Sequence, residues 1–387
     1  VNFAGTGFGD GTNKILIAGM GDGRIAGATV NGAQEAWYDL SGEKGVYGVT
    51  PAYTDIEYRS SMIVSNDTGN VRISLTNATP GDIVLDSTTT VINSLVQDYT
   101  QASTVDTASK TLRVGGITIG SGKEALTIGA SAGSGTLTAK DLGGELVLAN
   151  DSGSTLTVNS AIADNGTSLL VKSGTGVVVL AAANTYAGDT AVNSGVVRIR
   201  DSSSLGAGGK TVVAGGGELQ IDGSGLTIAE TLNTVGGSGV SGGGALRNLA
   251  NANTWSGAIT LGTGGARMNS DGGTLTLSGG VTGSGQGLTI GGAGDVTVQS
   301  AAIATGAGGT LTKDGAGTLT LDINNTYQGV TTVDGGMLKA GTGRATAFGS
   351  ATNASLTFGA GSTGTVQLNG NNMTLIGLNT HATVGTP

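Results

Sequence analysis

The chain offers few residues that could do chemistry. Its single histidine, His381, has no thiol partner, because cysteine is absent. No Gly-x-Ser-x-Gly elbow stands between a strand and a helix, so a Ser-His-Asp hydrolase has no place to form. Gly-rich runs such as Ser238-Gly239-Val240-Ser241-Gly242 read as low-complexity turns. Gly264-Gly265 is not followed by Lys-Ser/Thr, which excludes a phosphate loop. Paired carboxylates are the next chemistry to ask about, since glycan hydrolysis and elimination need acids on neighbouring elements. Here Asp201, Asp222, Asp271, Asp295, Asp314 and Asp322 are thinly spread and mostly sit beside glycine, as turn residues do. No catalytic residue is assigned.

Metal and nucleic-acid chemistry fare no better. Gly9-Asp10-Gly11-Thr12-Asn13 and Gly21-Asp22-Gly23 are Asp-Gly turns with oxygen ligands. They allow adventitious calcium, but the tandem Gly-Gly-x-Gly-x-Asp of a calcium-binding roll is missing. No metal or cofactor site is expected. The net charge of −9 and the absence of a basic patch exclude a nucleic-acid binder. No apolar run approaches the ~18 residues of a membrane helix. Aromatic residues are the better candidates for recognition. Trp37, Tyr38, Tyr47 and Tyr53 cluster near the start and are read as a recognition loop.

What must carry these residues is a repeat. Leu311 to Ala340 reads LTKDGAGTLTLDINNTYQGVTTVDGGMLKA, and Leu170 to Arg200 reads LVKSGTGVVVLAAANTYAGDTAVNSGVVRIR. Lys172 matches Lys313, Gly174 and Gly176 match Gly315 and Gly317, and Asn184-Thr185-Tyr186 matches Asn325-Thr326-Tyr327, always 141 residues apart. Gly188, Thr190 and Val192 likewise match Gly329, Thr331 and Val333. A weaker copy, Asn253-Thr254-Trp255-Ser256-Gly257, lies 69 residues after the first and 72 before the last. The match runs on to Leu205-Gly206 and Phe348-Gly349.

Within each copy, short β-branched runs alternate with Gly, Asn, Asp and Ser, which is the pattern of strands and turns. A strand of four residues spans only ~13 Å and buries little alone. Stacking coil upon coil buries a continuous core. The period divides into coils of about 23 or 24 residues, so the chain holds about 16 rungs. The 74 glycines suit corners, and the 3 prolines avoid the ladder. Leu180, Leu321, Val192 and Val333 are expected inside, and Gly188 and Gly329 at corners with positive φ. Tyr186, Trp255 and Tyr327 are expected to cover rung corners at equivalent places rather than stack on sugars.

The pattern Lys-x-Gly-x-Gly-x-x-x-Leu followed by Asn-Thr-Tyr-x-Gly-x-Thr-x-Val-x-x-Gly resembles the autotransporter-associated β-strand repeat of bacterial passenger regions. The weaker copy lacks the Lys-x-Gly-x-Gly lead-in. The resemblance implies an all-β, right-handed parallel β-helix displayed outside the cell.

Four stretches follow from the rhythm. Residues 1–62 form N-terminal rungs with an aromatic-rich insertion, in which Gln34 to Leu40 is a short helix or loop and Tyr47 to Tyr53 a turn. Residues 63–134 are plain rungs, 135–272 hold the first copies, and 273–387 hold the duplicate. The absence of a signal peptide and initiator Met, and the interruption of the second copy at Pro387, suggest part of a longer processed polypeptide.

The leading reading is a structural or adhesive surface protein that self-associates into filaments or a layer, or meets a surface ligand such as a glycan. A sparsely charged surface permits such packing. The other reading is a β-helical carbohydrate-active enzyme, a polysaccharide lyase or hydrolase. It requires two convergent acids on adjacent rungs.

Overall fold

The computed structural model describes residues 62–74 and 83–380 in full, preceded by the strands Asn2–Phe3, Gly23–Val30, Gln34–Asp39, Gly45–Val49 and Tyr53–Ile56. The described chain is an all-β parallel solenoid of about 14 turns, fewer than the expected 16. Some turns are longer than the assumed coil. Thr227 pairs with Thr254 one turn on, and Lys339 with Gln367. Two compact units divide the chain, residues 1–176 and 177–387.

In the first unit one face stacks Asn66–Ile73, Thr89–Gln97, Thr111–Ile119, Glu145–Asn150 and Leu169–Ser173 in parallel. A second face stacks Ile83–Leu85, Ser103–Asp106, Leu126–Ile128 and Leu156–Val158. Gln34–Asp39 is neither helix nor loop. It pairs antiparallel with Gly23–Val30 on one side and Gly45–Val49 on the other. This meander lies against Glu145–Asn150 and Leu169–Ser173 through its Gly23–Val30 strand. Tyr47 and Tyr53 stand on the strands Gly45–Val49 and Tyr53–Ile56, not in the expected turn. Seven residues of the expected Asp-Gly turns, all but Gly23, and the single histidine His381 lie outside the described residues.

The second unit has three faces. The longest runs from Val177–Leu180 through Gly195–Ile199, Gly217–Ile221, Leu246–Asn248 and the long strand Ile259–Ser270. It continues through Leu288–Gly291, Leu311–Lys313, Val330–Val333, Ser355–Phe358 and Gly377–Thr380. A second face stacks Thr190–Val192, Lys210–Val213, Thr231–Gly237, Ile259–Ser270, Val281–Thr282 and Ile303–Ala304. A third starts at Thr227–Ile228 and ends at Thr365–Gln367. Among the described residues the only helix is the 3-10 turn Val240–Gly242.

Alternation of side chains is what makes the stack. Along Thr274–Leu277, Asp295–Val298 and Thr318–Leu321 every second residue points inward. The register superposes Leu275, Val296, Leu319 and Leu338, all at most 1% exposed. Each such side chain contributes about 1.5–3 kcal/mol by leaving water. The expected core residues Leu180, Val192, Leu321 and Val333 are buried.

Candidate functional site

The repeat is where sequence points to function, and its residues turn inward. Lys172 and Lys313 are 1% and 2% exposed. Lysine is almost never buried without partners, and both have them. Lys172 Nζ donates to the carbonyls of Ser173 and Gly174, each at 2.6 Å. Lys313 Nζ donates to Gly315 O at 2.9 Å and Gly335 O at 3.1 Å. The amine thus satisfies the carbonyls of the turn that follows it. Burial pushes the Lys172 amine down to about 8, against the pull of the Asp151 charge. The Lys313 amine is lowered for the same reason, opposed by Asp314.

The glycines of the lead-in follow from this packing. Gly174 and Gly315 have φ of 73° and 68°. A Cβ on either would overlap the backbone of the preceding rung, at Asn150 and Gly292 respectively. Gly188 and Gly329 are a correction: neither has a positive φ. Gly329 is needed because a Cβ would strike Gly309 O, 2.5 Å away.

Asn184 and Asn325 are also buried and serve as cross-rung ties. Asn325 Oδ1 accepts from Ile303 N at 2.8 Å, and its Nδ2 donates to Ala347 O at 2.6 Å. Asn184 Nδ2 donates to Ser204 O. Tyr186 and Tyr327 are 1% and 0% exposed, and each shares a 2.7 Å hydrogen bond with a hydroxyl four residues on, Thr190 or Thr331. Gly206 and Gly349 lie against these rings with φ of 86° and 111°. The corner reading therefore holds for both tyrosines, and burial removes them as a sugar-stacking ladder.

Trp255 does not share their place. Asn253-Thr254-Trp255 lies within the strand Ala252–Trp255, in register with Leu275-Thr276-Leu277. Trp255 is fully buried, and its Nε1 has no partner among the described residues. The missing lead-in was the signal that this segment differs.

The carboxylates are engaged in ties between rungs. Asp222 pairs with Arg200, Asp271 with Arg247, Asp314 with Arg267 and Asp322 with Arg344. Asp201 accepts from Ser203 N at 2.8 Å, as a turn residue does, whereas Asp295 starts a strand and accepts from Thr318 N of the next rung at 2.8 Å. The arginine partners were not foreseen, because the register that aligns them is invisible without the coil lengths. Arg198, Gln220, Arg247, Asn269 and Gly291 occupy one column on five successive rungs. Beneath it, Glu218 is fully buried yet satisfied. It accepts from Gln220 Nε2 at 2.6 Å, Arg247 Nη1 at 3.2 Å and Val240 N at 2.9 Å.

One acid stands apart. Burial pushes the Glu230 carboxyl up to about 7; the Thr211 hydroxyl opposes the shift and the Asp189 charge adds to it. Glu230 Oε1 accepts from Thr211 Oγ1 and Asp189 Oδ1 from Lys210 N, each at 2.9 Å. A carboxyl raised in this way suits a general acid, but Glu230 and the neighbouring Asp189 both already have structural partners. No cluster of metal-ligating side chains occurs among the described residues.

The recognition aromatics separate. Trp37 and Tyr47 are directly opposed across the meander, and Tyr38 is opposed to Val46. Tyr53 pairs with Asn70 in the solenoid instead.

No curated protein and no solved structure matches the chain. Residues 170–199 and 311–340 do match a family model, the passenger-associated-transport-repeat. The model stops short of residues 253–257, in keeping with the strand found there. The chain thus carries two passenger-associated-transport repeats in a parallel β-solenoid, a combination that fits an autotransporter passenger β-helix.

Proposed function

We propose that the chain is the β-helical shaft of a larger secreted bacterial polypeptide, with a structural or adhesive role at the cell surface. The observation that carries this reading is the fate of the repeat. Its lysines, asparagines and tyrosines are buried and hydrogen-bonded within their own turn or to the next rung, its glycines admit the neighbouring backbone, and none is left facing solvent with free chemistry. A motif built this way is selected for stacking, and a stack extends reach. The sparse surface charge favours packing of shafts into filaments or a layer. The meander bearing Trp37, Tyr38 and Tyr47 stands outside the coil and is the proposed contact point for a surface partner.

Electron microscopy of purified surface material tests the assembly. Filaments or sheets with lateral register support it. Isolated rods without register remove self-assembly and leave a solitary stalk.

The rival reading, a glycan-cleaving β-helix, is favoured by Glu230 and Asp189 alone. Incubation with pectin or alginate separates the two. New reducing ends or unsaturated products, lost in Glu230→Gln, would establish the enzyme.

A further inference from the structure

We propose that the second unit carries a binding groove for a neutral oligosaccharide, centred on Arg267, Thr289 and Thr312. The inference rests on the reading of this unit as surface-displayed, and names a ligand class for it.

The groove exists because the coil is irregular here. The pairing of Thr231–Gly237 with Ile259–Ser270 shifts register twice, so the chain around Gly264 bulges outward. Bulges of this kind re-aim side chains and are frequent beside functional sites. Gly264 has φ of 91° and nothing near the place its Cβ would take. On the other side, Ser238 begins a glycine-rich loop that the Glu218 carboxylate fastens through Val240 N. Between bulge and loop lies an open hollow of about 280 Å³.

Its lining sets hydroxyls and one guanidinium among glycines. Arg267, Thr289 and Thr312 follow one another on successive rungs in a single outward column. Thr310 and Ser238 complete the wall. The hydroxyls of Ser238, Thr289, Thr310 and Thr312 make no hydrogen bond to the described protein, in contrast to the buried threonines of the repeat. Beyond the column, Arg267 reaches across a whole rung to Asp314, with bonds of 2.6 and 2.8 Å. Gly291 makes this reach possible: a Cβ there would overlap the Asp314 carboxylate and crowd Arg267.

These features select the occupant. Asp314 neutralises Arg267, so the groove has no net charge with which to hold an anion. The strand edges are already paired, so a peptide cannot add as a further strand. No aromatic side chain lines the hollow and its wall carries four hydroxyls, so an apolar ligand finds little surface to cover. A guanidinium–carboxylate pair beside free hydroxyls offers donors and acceptors together, as the hydroxyls of a sugar require. Without an aromatic platform the binding is weak singly, and repeated display on a surface compensates.

Calorimetric titration of the chain with cellotetraose, maltotetraose, mannotetraose and tetragalacturonate tests this. Saturable binding of a neutral tetrasaccharide is expected, weakened roughly tenfold or more in Thr289→Val/Thr312→Val, which removes two hydroxyls at nearly constant shape. If that variant loses its β-sheet spectrum, Ser238→Ala/Thr310→Val makes the same comparison. No binding of the three neutral sugars, binding of tetragalacturonate alone, or undiminished binding in the folded variant would overturn the proposal. Surface labelling of cells is independent of these titrations, so failure of the groove and failure of surface display are told apart.

Discussion

Asn325-Thr326-Tyr327 and Asn253-Thr254-Trp255 are nearly the same tripeptide in the same unit, and they fold differently. The first crosses a corner, with its tyrosine hydroxyl bonded to Thr331. The second is a strand segment paired with Thr274–Leu277. The difference lies outside the tripeptide. Lys313, Gly315 and Gly317 build the turn that precedes the corner, and a threonine stands four residues after the ring. Trp255 has neither: the residue four later is Ile259, and its indole N–H has no partner among the described residues. What the segments share is glycine for the same reason. Gly257 would strike Glu230 O, and Gly329 would strike Gly309 O.

The shared feature gives the largest expected effect. Gly329→Val and Gly257→Val should each abolish folding of the second unit, because backbone carbonyls cannot move aside as flexible side chains can. Circular dichroism and urea unfolding would show it. Unchanged unfolding of Gly329→Val would mean that the close approach to Gly309 is wrong.

The aromatic residues should then part company. Trp255→Ala should cost about 3–5 kcal/mol, as for a large buried ring whose cavity cannot collapse. A cost below about 1 kcal/mol would place the indole outside the core.

Two pH windows follow from the buried charges, with opposite signs. The Lys172 amine titrates near 8 in the folded chain and near 10.5 when exposed. Between these values the unfolded chain binds more protons, so stability should rise with pH. Lys172→Met should flatten that rise. For Glu230 the folded value of about 7 exceeds the ordinary 4.5. The folded chain binds more protons in that interval, so stability should fall as pH rises through it. Glu230→Gln should remove the fall. Denaturation midpoints measured across pH would check both slopes.

The smallest effect should be Tyr327→Phe, about 1 kcal/mol for one hydroxyl, since Thr331 Oγ1 retains Phe348 O at 3.2 Å. A loss near that of Trp255→Ala would show that the corner depends on the hydroxyl far more than the geometry allows.

The stacked strands were legible in the sequence because alternation reports burial directly, as at Thr318-Leu319-Thr320-Leu321. The buried lysines were not, because a charged side chain reads as solvent-facing until its turn carbonyls are known. Gly329 was legible as obligatory but not for its cause, since positive φ and close approach leave the same letter. Gln34–Asp39 escaped because its mixed polar and aromatic residues lack the β-branched run that marks the coil strands. The groove at Arg267 depends on a register shift, which no single strand records.

Display of this solenoid outside the cell as a shaft, as proposed, is open to direct measurement. Immunogold electron microscopy of intact cells, with antibody raised against residues 177–387, tests it most directly. Gold beyond the envelope, removable by protease added to whole cells, is the result expected. Gold confined to the cell interior, appearing only after lysis, would contradict it.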